Sequence, residues 1–316
     1  MPKIITVGEI LVEVMAKDTG QEFLYPGLFV GPYPSGAPAI FIDQAARMGV
    51  SSGIIARVGY DDFGTLNIER LKKDGVDTSK IARTHESATG VAFVTYFGDG
   101  SRKFIFHFGN AACGTLSPED IDESYVKEAE YLHIMGCSLS ASESLRQAVL
   151  KAVKIAKDNG VRISFDPNVR RELLDTTGIR DVFEGILSST YVLLTGVEEA
   201  KFITGKNTLD DAIGALKAMG ICIIVIKSAS KGALVYLRDE SKEIPPFKVE
   251  EVDPTGAGDC FDGAFIASLV EGKGIYEAAL TANAAGALAV TRKGPMEGAS
   301  YKEEVMRLVE QYNGIP

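Results

Sequence analysis

Hydrophobic and polar positions along the chain fall into two alternating patterns. Short, β-branched apolar runs recur at Lys3–Val7, Ile54–Val58, Tyr131–Met135, Val161–Phe165, Tyr191–Leu194 and Ile221–Lys227. Their length suits strands, and their near-continuous apolar character suits strands buried on both faces. Between them, Ala39–Met48, Phe63–Lys73, Ser142–Asn159 and Leu209–Met219 carry apolar residues at three- and four-residue steps, the period of a helix with one buried stripe. Strand–helix alternation over this length predicts an α/β fold, a mostly parallel sheet with helices on both faces. Two stretches break the rhythm. Glu13–Pro34 is rich in Gly, Pro and aromatics, and Ala88–Phe108 alternates like a hairpin with Phe97-Gly98-Asp99-Gly100-Ser101 as its turn. Both read as strands of a small flap over the end of the main sheet; extra edge strands on a single sheet would be the competing arrangement. Ala233–Leu237 predicts another strand, Pro245-Pro246 a loop before Val249–Val252, and the last third turns helical at Gly258–Glu271, Tyr276–Thr291 and Tyr301–Tyr312. No repeat period of 20 to 50 residues is visible, which argues against a solenoid.

Composition narrows the classes. A chain of 316 residues accommodates about two domains of roughly 150 residues, or one large α/β unit. With 46% hydrophobic and 24% charged residues it is neither disordered nor collagen-like. A net charge of −10 argues against a partner recognised through nucleic-acid phosphates, yet leaves room for one small anion held by backbone amides. Cys113, Cys137, Cys222 and Cys260 have no paired spacing and read as small apolar residues in a reducing compartment. The first residues lack a secretory signal pattern, and no apolar run approaches a membrane span, so a soluble cytoplasmic protein without membrane association is expected.

The common chemical signatures are missing. No segment fits GxxxxGK[ST], GxGxxG after the first strand, HExxH or GxSxG, and His85, His107 and His133 stand in no catalytic motif. What stands out is Asp253-Pro254-Thr255-Gly256-Ala257-Gly258-Asp259-Cys260-Phe261-Asp262-Gly263-Ala264-Phe265, just where an apolar helical run begins. Tiny residues there let a phosphate approach the backbone, and the first-turn amides of a helix point at it with a modest favourable dipole. Asp259 would stand beside that anion, where removal of a proton from an attacking hydroxyl gives a carboxylate a purpose. The same residues could also form a Gly-rich turn with Asp259 only favouring the helix start.

The segment Asp253–Phe265 resembles the C-terminal motif of the ribokinase/PfkB carbohydrate kinase family. Further features of that family follow in order: Ser35-Gly36-Ala37-Pro38-Ala39, Val58-Gly59-Tyr60-Asp61-Asp62-Phe63-Gly64, Phe165-Asp166-Pro167-Asn168-Val169-Arg170 and Asn283-Ala284-Ala285-Gly286-Ala287. The resemblance spans nearly the whole chain. It implies a ribokinase-like fold, a Rossmann-like αβα core with a β-sheet lid, and phosphoryl transfer from ATP to a sugar hydroxyl. The core would comprise residues 1–12, 35–87 and 109–316, and the lid residues 13–34 and 88–108. Carried over by residue, Asp259 is the expected base, and Gly256, Ala257 and Gly258 are the expected anion hole. Lys227, Gly232, Asn168 and Asn283 are expected along the nucleotide. Arg170 is expected to reach the substrate, with a structural ion pair as the rival role. Glu199 is expected to help organise Mg²⁺ through water, although Gly196 stands where relatives carry Asn. A monovalent cation such as K⁺ is expected near Asp253 and Thr255 by the same analogy.

The sugar end departs from the family pattern. Relatives typically read Gly-Gly-x-x-x-Asn where this chain has Ser35-Gly36-Ala37-Pro38-Ala39-Ile40, so either a hydroxyl contact is lost at Ile40 or Ile40 simply packs in the core. Glu13 stands where many relatives carry Asp and can still accept two hydroxyl hydrogen bonds. Gly36, Ala37, Arg102 and Phe104 complete the expected sugar contacts, the last two within Ser101–Phe106, which resembles the lid segment of fructokinases and 2-keto-3-deoxygluconate kinases. An arginine suited to a substrate carboxylate is missing at Phe108 and Gly109, which favours a neutral ketohexose such as fructose or tagatose over a keto-deoxy acid, unless Arg102 or Arg170 takes its place. A nucleoside kinase of the same fold and a non-catalytic sugar or nucleotide sensor are the alternatives. A homodimer formed through the lid is also expected.

Overall fold

The computed structural model describes residues 1–169, 178–238 and 240–313. In chain order the first part contains β1 (Ile4–Val7), β2 (Leu11–Ala16), β3 (Phe29–Ser35), α1 (Ala37–Arg47), β4 (Ser52–Gly59), α2 (Asp62–Lys73), β5 (Val76–Asp77), β6 (Ile81–Thr84), β7 (Gly90–Tyr96) and β8 (Arg102–His107). The middle contributes α3 (Glu123–Lys127), β9 (Tyr131–Met135), α4 (Gly136–Ala141), α5 (Glu143–Asp158), β10 (Arg162–Asp166), α6 (Ile179–Leu187), β11 (Thr190–Gly196), α7 (Val197–Thr204) and α8 (Leu209–Ala218). The last part holds β12 (Ile223–Lys227), β13 (Ala233–Leu237), β14 (Glu240–Ile244), α9 (Ala257–Val270), α10 (Ile275–Ala289) and α11 (Lys302–Asn313).

A large sheet runs in the order β14-β13-β12-β11-β10-β9-β1-β4-β5, with β6 also on β4. Its strands are parallel except for the β12–β13–β14 meander. Period-two alternation sorts its side chains to two cores. Ile4, Ile54, Ile223 and Val225 face one layer with α1, α9 and α10, whereas Ile5, Ile55, Ile224 and Ile226 face the other with α5, α6 and α8. Helices α9 and α10 are buried around most of their circumference, as their run of small and apolar residues requires. The chain leaves β1 toward β4 on one side and returns through β9 to β12 on the other. This reversal opens a crevice at the carboxyl ends of β1 and β9.

The second sheet, β3-β2-β7-β8, is separate and lies over those carboxyl ends, so the edge-strand arrangement does not hold. Strand β2 begins at Leu11 and β3 runs to Ser35, so Leu11, Val12 and Ser35 belong to the small sheet and not to the large one. Two local expectations fail near the other edge. Strand β14 forms in the polar stretch Glu240–Ile244 because the adjacent β13 offers it a full ladder, and no regular element spans 249–252. Backbone pairing there outweighs the pattern of side chains.

Candidate active site

Helix α9 is capped at its start by Gly256, whose φ of +80° and backbone packing leave no alternative residue. A Cβ at that position would come within 2.2 Å of the Pro295 carbonyl oxygen. The turn therefore stays thin, and the first amides of α9 have no intrahelical acceptor. Deeper along α9, Gly263 lets the helix lie directly on the α1 backbone, where a Cβ would meet the Phe41 carbonyl at 2.4 Å. The helix start is thus fixed against α1 rather than left to a mobile loop.

Two cavities meet at this turn. The first, of about 230 Å³, is lined on the large-sheet side by Glu9, Asp166, Asn168 and Asp259, and on the small-sheet side by Leu11, Glu13, Ala92, Phe104 and Phe106. The second, of about 700 Å³ and more apolar, is lined by Gly232, Pro246, Phe247, Ala257, Phe261, Asn283, Gly286 and Val290. Arg102, Lys227, Pro254 and Gly258 line both. Asp259 opens only to the first, so a carboxylate faces one cavity while the amide-bearing turn separates the two.

Asp259 is buried and accepts a hydrogen bond from Asn168 Nδ2 at 3.2 Å. Asn168 adopts a left-handed φ of 39°, stabilised by its own N–H donating to Asp166 Oδ1 at 3.0 Å. Below the turn, Lys227 Nζ donates to Asp166 at 2.9 Å and to both Asp262 oxygens at 3.0 and 3.1 Å. Burial alone would depress the Lys227 ammonium, but Asp166 and Asp262 outweigh it and hold its pKa above the ordinary value. Burial raises the Asp262 carboxyl well above the usual range; at Asp166 it acts the same way, yet Lys227 and the hydrogen bond from Asp262 leave that group below its usual value. One ammonium is thus held between two buried carboxyl groups. Glu199 accepts from the Gly196 and Val169 amides at 2.8 Å each, and burial followed by the nearby Asp166 charge pushes its carboxyl up.

Over the first cavity, Phe104 and Phe106 stack at 5.2 Å and present an apolar wall. Opposite, Ser35 donates to Glu13 Oε2 at 3.2 Å, while Ser138 and Cys137 donate to Glu9 at 2.5 and 3.2 Å.

The chain matches the pfkB family carbohydrate kinase over residues 1–301. The chain belongs to the PfkB family of carbohydrate kinases. It is accordingly a phosphotransferase acting on a sugar hydroxyl. Among curated relatives it is 30% identical to fructokinase-1 of Zea mays, covering 98% of each chain, and 32% identical to a protein of Arabidopsis thaliana described as a fructokinase-5, again over 98% of each. Among solved structures, an E. coli protein provisionally described as a ribokinase II, in complex with ATP and Mg²⁺, superposes with a TM-score of 0.93 at 47% identity. That match covers 98% of this chain and 100% of the other. A fructokinase from Xylella fastidiosa with bound ATP gives 0.88 at 25%, covering 99% and 100%.

Seen within the PfkB family, most of the residues singled out by sequence converge. Glu13, Gly36, Ala37, Arg102, Phe104, Glu199, Thr255, Gly256, Gly258 and Asp259 line the first cavity, with Gly232, Ala257 and Asn283 in the second. Asn168 lines the first cavity, beside the turn, and donates to Asp259. Ile40 both lines that cavity and packs in the core. Arg170 lies outside the described residues. Asp253 lies just behind the turn, its carboxylate held by the Thr255 and Gly294 amides. Sequence reasoning missed Glu9, Asp166 and Asp262 as site residues. The signal for Glu9 was its place directly after the first buried strand, and for Asp262 its position one helical step beyond Asp259.

Proposed function

We propose that this PfkB kinase transfers the γ-phosphoryl group of ATP to a terminal hydroxyl of a free ketohexose, fructose or tagatose in type. The observation that carries this reading is the division of the site: Asp259 faces the first cavity and the Gly256–Gly258 turn stands between the two. The sugar occupies the first cavity and the nucleotide the second, with adenine against Phe247, Phe261 and Asn283. Asn283 is itself anchored by donating to the Pro245 carbonyl at 2.9 Å. The sugar O–H proton passes to the Asp259 carboxylate as the new O–P bond forms in line. The bond from the γ-phosphorus to the β-bridging oxygen breaks, and ADP leaves with that electron pair. The Gly256, Ala257 and Gly258 amides receive the charge on the transferring group. The small sheet, acting as a lid over the sugar, excludes water.

The donor set near Lys227 fits a phosphate-borne cation. Asp166 and Glu199 both line the first cavity, while no cluster of three ligating side chains forms a metal cage among the described residues. Mg²⁺ carried by ATP and water needs only one or two such carboxylates, and when bound it neutralises phosphate charge. A K⁺ ion near Asp253 and Thr255 belongs to the same proposal, by analogy with the potassium-bound Vibrio cholerae fructokinase. Charge supports a neutral sugar. Glu9, Glu13 and Asp259 would repel a substrate carboxylate, and Arg102 is directed to the Thr255 hydroxyl at 3.4 Å. The lid's outer side leaves Leu28, Phe29 and Ile105 exposed, which supports pairing of two lids in a cytoplasmic homodimer.

A coupled ADP-release assay over fructose, tagatose, adenosine and 2-keto-3-deoxygluconate tests the reading. We expect a ketohexose to be used best, and Asp259→Asn to lose about 10²–10⁴-fold in turnover while still binding ATP. Near-normal turnover by that variant, or preferential use of the sugar acid, would contradict it.

A further inference from the structure

Tyr96 ends β7 at the tip of the small sheet and pairs across the hairpin with Arg102. Its hydroxyl donates to Asp253 Oδ1 at 3.0 Å and lies 3.0 Å from Thr255 Oγ1. Arg102 Nη1 reaches the same Thr255 hydroxyl at 3.4 Å. Asp253 is 2% exposed and serves two more donors: the Thr255 N–H at 3.0 Å on Oδ1 and the Gly294 N–H at 2.8 Å on Oδ2. The Gly294 loop continues into Pro295, whose carbonyl is the backbone atom seated against Gly256. One carboxylate therefore joins the small sheet, the phosphate-binding turn and the loop behind that turn.

We propose that Tyr96 is a positioning residue that transmits sugar occupancy beneath the small sheet to the Gly256–Gly258 turn, making sugar and nucleotide bind cooperatively. This rests on the sugar and ATP assignments above. Sugar touching Glu13 and Phe104 favours the sheet in its seated position. Only there can a hydroxyl on the sheet reach Asp253, and that bond holds the segment leading into the turn. Linkage then requires that bound nucleotide tighten sugar by the same factor. An ordered turn that depends on the seated sheet also explains how a kinase with an open nucleotide cavity avoids spending ATP on water.

The test is Tyr96→Phe, which keeps the ring and removes only the hydroxyl. Affinity for a non-hydrolysable ATP analogue is measured by calorimetry with and without saturating D-fructose, beside kcat and both KM values. In the wild type, fructose should tighten the analogue by about fivefold or more; in the variant the factor should fall below about twofold. The variant should also lose kcat while its thermal midpoint stays near wild type. Hydrogen exchange on the wild type gives a second reading that needs no variant: fructose alone should protect amides in residues 253–258. A variant that keeps the wild-type factor, or a wild-type turn indifferent to fructose, overturns the inference. Wild-type turnover of fructose is read first. Its absence strikes the proposed substrate, whereas turnover with an undiminished factor in the variant strikes only the role of Tyr96.

Discussion

At the scale of single residues, the site depends on how Lys227 is compensated. Its ammonium is buried between Asp166 and Asp262, and a Cβ on Gly258 would lie 3.6 Å from it. Lys227 pairs with both Asp166 and Asp262, and removing the cation leaves buried carboxyl groups without their compensating charge. Lys227→Met is expected to destabilise the fold by about 3–5 kcal/mol and to abolish most turnover; adding Asp166→Asn should restore much of the stability but not the activity. Denaturant unfolding of both variants checks this. A single variant as stable as wild type would show that the pair is not what holds the sheet edge together. The place of Asp259 and the Gly256–Gly258 turn at a helix start was legible from sequence because tiny residues run straight into an apolar helical pattern, while the role expected of them came from the family resemblance. Asp166 and Asp262 were not, because their role arises from a lysine distant in sequence that only the sheet brings near.

At the scale of elements, the central strands and the helices were readable because strands buried on both faces and helices with one stripe leave different periods. The position of β14 was not, since its polar sequence follows from pairing with β13. The packing of β9 on α1 was equally hidden. His133 on β9 stacks on Phe41 of α1 at 3.7 Å between ring centroids, and its Nδ1 shares a 2.9 Å hydrogen bond with Ser164 Oγ. Complete burial lowers its pKa from 6.5 to about 3. The unfolded chain therefore takes up a proton below about pH 6.5 that the folded chain refuses, and stability falls as pH drops from there toward 3. The slope is about 1.4 kcal/mol per pH unit, or about 2 kcal/mol between pH 6.5 and 5. His133→Phe should flatten the fall in unfolding free energy over that interval by this amount, relative to wild type. Equal slopes in the two proteins would show that His133 is not buried in its neutral form.

At the scale of the whole molecule, two sheets divide the work. The large sheet brings the ends of β1, β9, β10 and β12 to one crevice, where Glu9, Asp166, Asn168 and Lys227 gather, and α9 adds the turn and Asp259. The small sheet supplies Glu13, Phe104 and Phe106 from the other side, and its tip touches the segment that leads into the turn. An overall charge of −10 is compatible with a phosphate-binding enzyme on the proposed reading, in which backbone amides at a helix start receive the anion and no basic surface is needed. The most direct measurement of this arrangement is a crystal structure of the kinase with D-fructose and a non-hydrolysable ATP analogue bound together. The terminal phosphate should rest on the Gly256, Ala257 and Gly258 amides, with one sugar hydroxyl at hydrogen-bond distance from Asp259, roughly 2.6–3.2 Å, and in line with that phosphate. Phosphates bound away from the turn, or a sugar whose hydroxyls all turn from Asp259, would contradict the account.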